Sequence, residues 1–199
     1  MHPGQFVVVN SKDINIFERG LNELKYHSEV FDILNLDSTA KMQVHVGGVY
    51  GDKEESMERF IERYQNLDKN IKRRLVIEND EKIYSLSECL EIGNQIKIPV
   101  LFDYFHHELN NTGEDLEGCF ENFTKTWKTK DGLPLVDYSS QNPDKAKGTY
   151  IGSIDIDHFK NFLKETQNFD FDIMLDIKDK ETSALKAVDI LKYDNRFNK

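Results

Sequence analysis

The residues best suited to chemistry stand where apolar runs stop. His45 follows Gln43-Val44 and leads into Val46-Gly47-Gly48. Glu78 closes Leu75-Val76-Ile77 and continues as Asn79-Asp80, while Asp103 closes Val100-Leu101-Phe102, with His106 and His107 just beyond. Asp137 lies in Val136-Asp137-Tyr138-Ser139, Asp176 follows Ile173-Met174-Leu175, and His2 opens the chain in His2-Pro3-Gly4-Gln5. Imidazole and carboxylate donors gathered in one cleft suit a divalent ion of intermediate softness, such as manganese, zinc or iron. Two ions about 3.5–4 Å apart, bridged by a carboxylate, can clamp a phosphodiester for in-line attack. Neither Cys89 nor Cys119 ends an apolar run, and no P-loop or nucleophile-elbow serine is present, so thiolate, P-loop and Ser-His-Asp chemistry are not expected.

These residues need a scaffold that brings strand ends together. The runs at 42–46, 75–78, 100–103, 135–138 and 173–176 are short and almost continuously apolar, as strands buried on both faces are. Between them lie stretches with a 3.6-residue period. Ile14, Phe17, Leu21, Leu24, Phe31 and Leu34 mark the first, with Asp13 as its N-cap. Met57, Phe60, Ile61, Tyr64 and Leu67 mark the second, opened by Asp52 with Glu55 three residues on. Later helices start at Ser85 and carry Leu116, Phe120 and Phe123, then Ile156, Phe159 and Leu163, then Leu185, Val188 and Leu191. Repeated βα units give a parallel sheet, either an open doubly wound sheet or a closed barrel. In a barrel all strands end on one rim, and the active site is built there.

The chain has 199 residues and a formal charge of −10, from 26 Lys plus Arg against 36 Asp plus Glu. That balance argues against holding nucleic acid by net charge alone. Bound cations would reverse the sign locally. No run is long enough to span a bilayer and no secretory signal is visible, so a cytoplasmic protein with reduced, buried cysteines and no membrane partner is expected. One domain is expected over residues 1–192, followed by a loose polar tail at 193–199.

Five stretches together resemble the ordered motifs of the UV damage endonuclease family. They are His2-Pro3-Gly4-Gln5-Phe6 through Asn10-Ser11, His45-Val46-Gly47-Gly48 with Tyr50-Gly51-Asp52-Lys53, Leu75 to Asp80, Phe102 to His107, and Asp176-Ile177-Lys178-Asp179-Lys180. The resemblance implies a TIM-type (β/α)8 barrel similar to endonuclease IV. Its α/β barrel would be incomplete here, with two to three N-terminal βα units missing, and a companion N-terminal fragment is an expected partner. Residues 6–9 would then be a loop rather than a strand. It also implies divalent ions, manganese preferred with zinc or magnesium as alternatives, and a nick 5′ to a photoproduct in double-stranded DNA. By motif, His2, His45 and Glu78 hold one ion with Glu78 bridging, Asp103 serves the second and His106 a third. Glu78, His45 and Asp103 carry the catalysis. Gln5 and Phe6 wedge into the duplex where damaged bases leave the stack. Asn10, Tyr50, Lys145 and Lys147 join them as DNA contacts. Leu135 and Asp137 replace a lysine and a histidine of the family pattern, Tyr150 another histidine, and Asp176 a glutamate. Asp137 and Asp176 can still ligate through oxygen, which suits manganese or magnesium better than zinc.

Two other readings compete. A metal-dependent sugar isomerase or epimerase uses the same barrel and ligand types, and a non-catalytic remnant needs no intact site. Among the remaining residues, His107 is expected to be exposed or to support the site, and His27 and His158 to lie on the surface. Lys69 to Arg74 precedes a strand and is expected to be solvated on the far rim. Lys12, Lys53, Lys145, Lys147, Lys178 and Lys180 follow strands and face the site.

Overall fold

The computed structural model describes residues 1–4 and 6–197. Five strands form one parallel sheet in the order β1 (Met42–His45), β2 (Leu75–Glu78), β3 (Val100–Asp103), β4 (Leu135–Tyr138) and β5 (Asp172–Leu175). Chain order and spatial order coincide. An open doubly wound sheet reverses direction at a switch point, whereas consecutive staves of a TIM-type barrel do not. β1, β2 and β3 are buried almost throughout, which their unbroken apolar character requires. β5 is the exposed edge. Residues 6–9 form no strand.

The helices pack outside the sheet. They are α1 (Ile14–Ile33), α2 (Lys53–Gln65), α3 (Lys69–Lys72), α4 (Leu86–Ile96), α5 (Tyr104–Leu109), α6 (Leu116–Phe123), α7 (Ile156–Glu165) and α8 (Glu181–Leu191). Aspartates start many of them. Asp13, Asp52, Asp103, Asp115 and Asp155 each accept a backbone N–H of the first turn. Glu88 reaches back to the backbone N–H of Ser85 at 2.9 Å. The core runs between sheet and helices through Phe60, Ile77, Phe102, Phe120, Phe123 and Phe159. Cys89 and Cys119 are buried and free. No helix among the described residues is long and apolar enough to cross a membrane.

Four expectations need correction. In α8 the buried face is Ser183 and Ala187, while Leu185 and Val188 are exposed, because small residues let the helix sit close to the chain below. There Ser183 Oγ accepts from Ile154 N at 2.8 Å. Ile14 and Leu34 of the first apolar stripe are also exposed. Arg74 is not solvated. It is fully buried, donates to the carbonyls of Leu36 (2.6 Å) and Asp37, and pairs with Asp32 at 2.7 Å. The tail is fastened as far as it is described, since Arg196 donates to the carbonyls of Thr166 and Phe169 at 2.7 and 2.9 Å.

Candidate metal centre

The register of the sheet assembles the site. His45 pairs with Glu78, and Asp103 pairs with Asp137, so the ends of β1 to β4 meet at one mouth. Met1 docks on the outer edge of β1, its amino group donating to Lys41 O at 2.8 Å and its carbonyl accepting from Gln43 N at 3.1 Å. That places His2 beside His45, with ring centroids 5.8 Å apart.

Two groups of donor atoms result, and Glu78 belongs to both. One is His2, His45 and Glu78; the other is Glu78, Asp103 and His106. His2 Nε2 lies 3.6 Å from Glu78 Oε2, and His45 Nε2 lies 4.0 Å from Oε1. His106 Nδ1 lies 3.4 Å from Glu78 Oε1 and 3.3 Å from Asp103 Oδ2. Glu78, Asp103 and His106 are buried, while His2 and His45 are more open to the mouth. A cavity of about 50 Å³ beside them is lined by His2, Gln43, His45 and Gly47. The roomier cleft at the opposite end, lined by Leu133, Phe169, Phe171 and Arg196, carries none of these groups.

The electrostatics are those of a site short of positive charge. Burial pushes the Asp103 carboxyl up to about 8, with the charges of Glu78 and Asp176 adding to it against His106. Burial also raises Asp137 well above the carboxylate range, and Glu78 and Asp103 reinforce it. Burial opposes ionisation of Glu78, but the hydrogen bond from His106 and the neighbouring His45 and His2 outweigh it and hold Glu78 low. Burial would lower His106, yet Glu78 and Asp103 lift it to about 9. Protons thus occupy positions that a cation would take, and cation binding would release them. The nitrogen and carboxylate donors, with no buried lysine or arginine in either group among the described residues, fit divalent ions.

Asp137 is buried among these groups but belongs to neither triad. Asp176 is exposed one residue beyond β5 and touches the set only through its charge. Tyr150 Oη lies 2.7 Å from His106 Nε2, so the residue at the expected histidine position hydrogen-bonds to a member of the second triad. Gln5 lies outside the described residues. Phe6 is 76% exposed on the loop next to His2. Tyr50 is exposed after β1, and Lys145 and Lys147 are exposed on the loop after β4. Among the described residues these two lysines have no ion-pair partner, whereas Lys12 pairs with Glu55 and Lys53 with Glu88.

Asn10 leaves the set of DNA contacts. It is fully buried, donating Nδ2 to Gly48 O at 2.8 Å and accepting from Gly48 N at 3.1 Å. Gly47 makes room for it, since a Cβ there would fall 2.2 Å from Asn10 Oδ1, and its φ of +118° favours glycine. His107 is buried, with Nε2 3.5 Å from Cys119 Sγ, away from both triads. His158 is half-buried, held by Tyr138 Oη at 2.6 Å and Glu108 at 3.2 Å.

Two residues to which the sequence assigned no role organise the site, Asn79 from within the Leu75 to Asp80 motif and Gln43 from outside the motifs. Asn79 accepts from Asp103 N and donates to Asp103 O, both at 2.9 Å, and its own carbonyl faces His106 Nδ1 at 2.9 Å. Gln43 reaches both Glu78 and Asp137. Its signal was a polar residue inside an apolar strand, two positions before His45 and therefore on the same face.

The family model for UV-endonuclease UvdE matches residues 1–198. The chain belongs to the UvdE family. Its similarity to UvdE relatives extends over nearly its full length. It is 39% identical over 198 residues to a UV DNA damage endonuclease of Clostridium perfringens (strain 13 / Type A), covering 98% of this chain and 48% of that protein. It is 37% identical over 189 residues to one of Bacillus mycoides (strain KBAB4), covering 94% and 60%. The chain therefore spans about half to three fifths of these UvdE relatives. The crystal structure of SacUVDE superposes with a TM-score of 0.93 at 43% identity, over 99% of this chain and 66% of that one. A D-psicose 3-epimerase from Clostridium cellulolyticum H10, solved with D-tagatose, gives a TM-score of 0.63 at 11% identity, over 97% and 76%, a likeness of fold alone.

Proposed function

We propose that this UvdE-family chain is a cytoplasmic, metal-dependent DNA repair endonuclease that nicks duplex DNA on the 5′ side of UV photoproducts. Manganese is the preferred ion, with zinc or magnesium as alternatives. The observation that carries the reading is the sharing of Glu78 between two triads at one mouth. The names of the relatives support damaged DNA as substrate.

His2, His45 and Glu78 would hold one ion, and Glu78, Asp103 and His106 a second. Bound divalent ions supply Lewis acidity to a phosphodiester and lower the pKa of water. The chain's own residues do the rest. Glu78 is kept ionised and so remains available to bridge. Asn79 fixes the Asp103 backbone, and Tyr150 fixes the His106 ring. Phe6 would offer an aromatic face for stacking, and the exposed Tyr50, Lys145 and Lys147 would contact the backbone phosphates.

The test is incubation of the purified chain with manganese and an irradiated duplex, beside His45→Ala and Glu78→Ala. The expected result is a nick 5′ to the lesion that both substitutions abolish. Cleavage indifferent to both would reject this site. Absent cleavage with retained manganese binding would favour sugar chemistry or a non-catalytic remnant.

A further inference from the structure

Gln43 sits one layer below the ligands, facing the barrel interior from β1. Its side chain is almost wholly buried, as are those of Glu78 and Asp137. Its carboxamide nitrogen donates to Asp137 Oδ2 at 2.5 Å and to Glu78 Oε2 at 3.2 Å. A primary amide has two N–H groups, and both are engaged by carboxylates from different strands. Without that amide, the buried Glu78 carboxylate would lose the donor that holds its Oε2 from below, and its tie to Asp137. Glu78 Oε2, the atom held from below by Gln43, is also the one 3.6 Å from His2 Nε2. Gln43 Oε1 and Asp137 Oδ1 are buried acceptors without a hydrogen-bond partner, so the pair turns two further oxygens toward the interior.

We propose that Gln43 is a positioning residue of the metal centre. Its amide ties the Glu78 carboxylate to Asp137 and so holds Glu78 in the orientation that serves both triads. The inference rests on the metal-centre reading above. Residues that support a ligand in this way commonly change metal affinity by about 10–100-fold when removed. Asp137, joined to the centre through Gln43, acts here as a partner of the bridge.

The test is manganese binding to the full chain, by calorimetry and by the electron paramagnetic resonance of free Mn²⁺. Wild type is compared with Gln43→Leu, Gln43→Glu and Gln43→Leu combined with Asp137→Asn. Gln43→Leu is expected to weaken binding by about 10–100-fold. Adding Asp137→Asn should recover part of that loss, because the carboxamide it introduces supplies an N–H donor beside Glu78, whereas a merely structural role for Gln43 would give no recovery. Gln43→Glu keeps the shape and lacks the donors. Should Gln43→Leu fail to fold, Gln43→Glu carries the test, with the same loss expected. Wild-type affinity in the folded variants would overturn the inference alone. A wild-type chain that takes up no manganese would overturn the metal-centre reading and the inference together.

Discussion

His106 Nδ1 lies 3.4 Å from Glu78 Oε1, although the two residues come from different strand ends and sit in different elements. The imidazole and the carboxylate hold each other charged. Replacing Glu78 by Gln keeps the shape and removes the charge. We expect the His106 ring, now lifted to about 9, to titrate lower in Glu78→Gln, as followed by NMR. Manganese affinity should fall by more than the roughly 10–100-fold typical of losing a supporting residue. An unchanged His106 titration would contradict the pairing.

The same cluster sets a pH dependence of stability. Asp103 titrates at about 8 and His106 at about 9 in the fold. Their unfolded values are about 3.9 and 6.5. Both pKa values are raised, so the folded chain binds more protons than the unfolded one, and stability falls as pH rises. The metal-free melting temperature should therefore decline from about pH 4 to pH 9, through Asp103 from about 4 to 8 and through His106 from about 6.5 to 9. Added manganese should remove the decline by taking the place of the protons. A metal-free melting temperature that rises across this range would contradict the account.

Phe6 is solvent-exposed and makes no core contact. Phe6→Ala should leave stability within about 0.5 kcal/mol. It should weaken binding of irradiated duplex by about 1–3 kcal/mol, the usual worth of one stacked base. Gel-shift titrations beside thermal melts separate the two effects, and equal binding by both proteins would remove Phe6 from the interface.

Arg74 tests the fold rather than the site. Arg74→Met would leave the carbonyls of Leu36 and Asp37 without their donor, at a cost of about 2–3 kcal/mol. Denaturant midpoints should fall while manganese affinity of the folded fraction stays constant, because Arg74 precedes β2 and lies at the rim opposite the ligands.

Much of this molecule was legible in its residues. The five apolar runs became the five strands, with β1 ending one residue earlier than expected and β5 shifted by one, because double burial leaves little other use for such runs. His2, His45, Glu78, Asp103 and His106 lie at one mouth, but His106 stands with Glu78 and Asp103 in a single triad rather than apart from Asp103 as the motifs implied. What one strand's pattern could not tell was which side chains cross the barrel. Gln43 meets Asp137 from 94 positions away, a contact between β1 and β4 that only the curvature of the sheet creates. Asn10 looked like a surface contact, yet its amide is consumed by Gly48, which a motif string does not reveal. Leu185 and Val188 kept helical spacing but lost the buried face to Ser183 and Ala187, because close packing can favour small residues over apolar ones.

The most direct measurement is anomalous scattering from manganese-soaked crystals of the chain. Two manganese peaks are expected to flank the Glu78 carboxylate, about 3.5–4 Å apart, one nearest His2 and His45 and the other nearest Asp103 and His106. Peaks elsewhere, or none at Glu78, would contradict this arrangement.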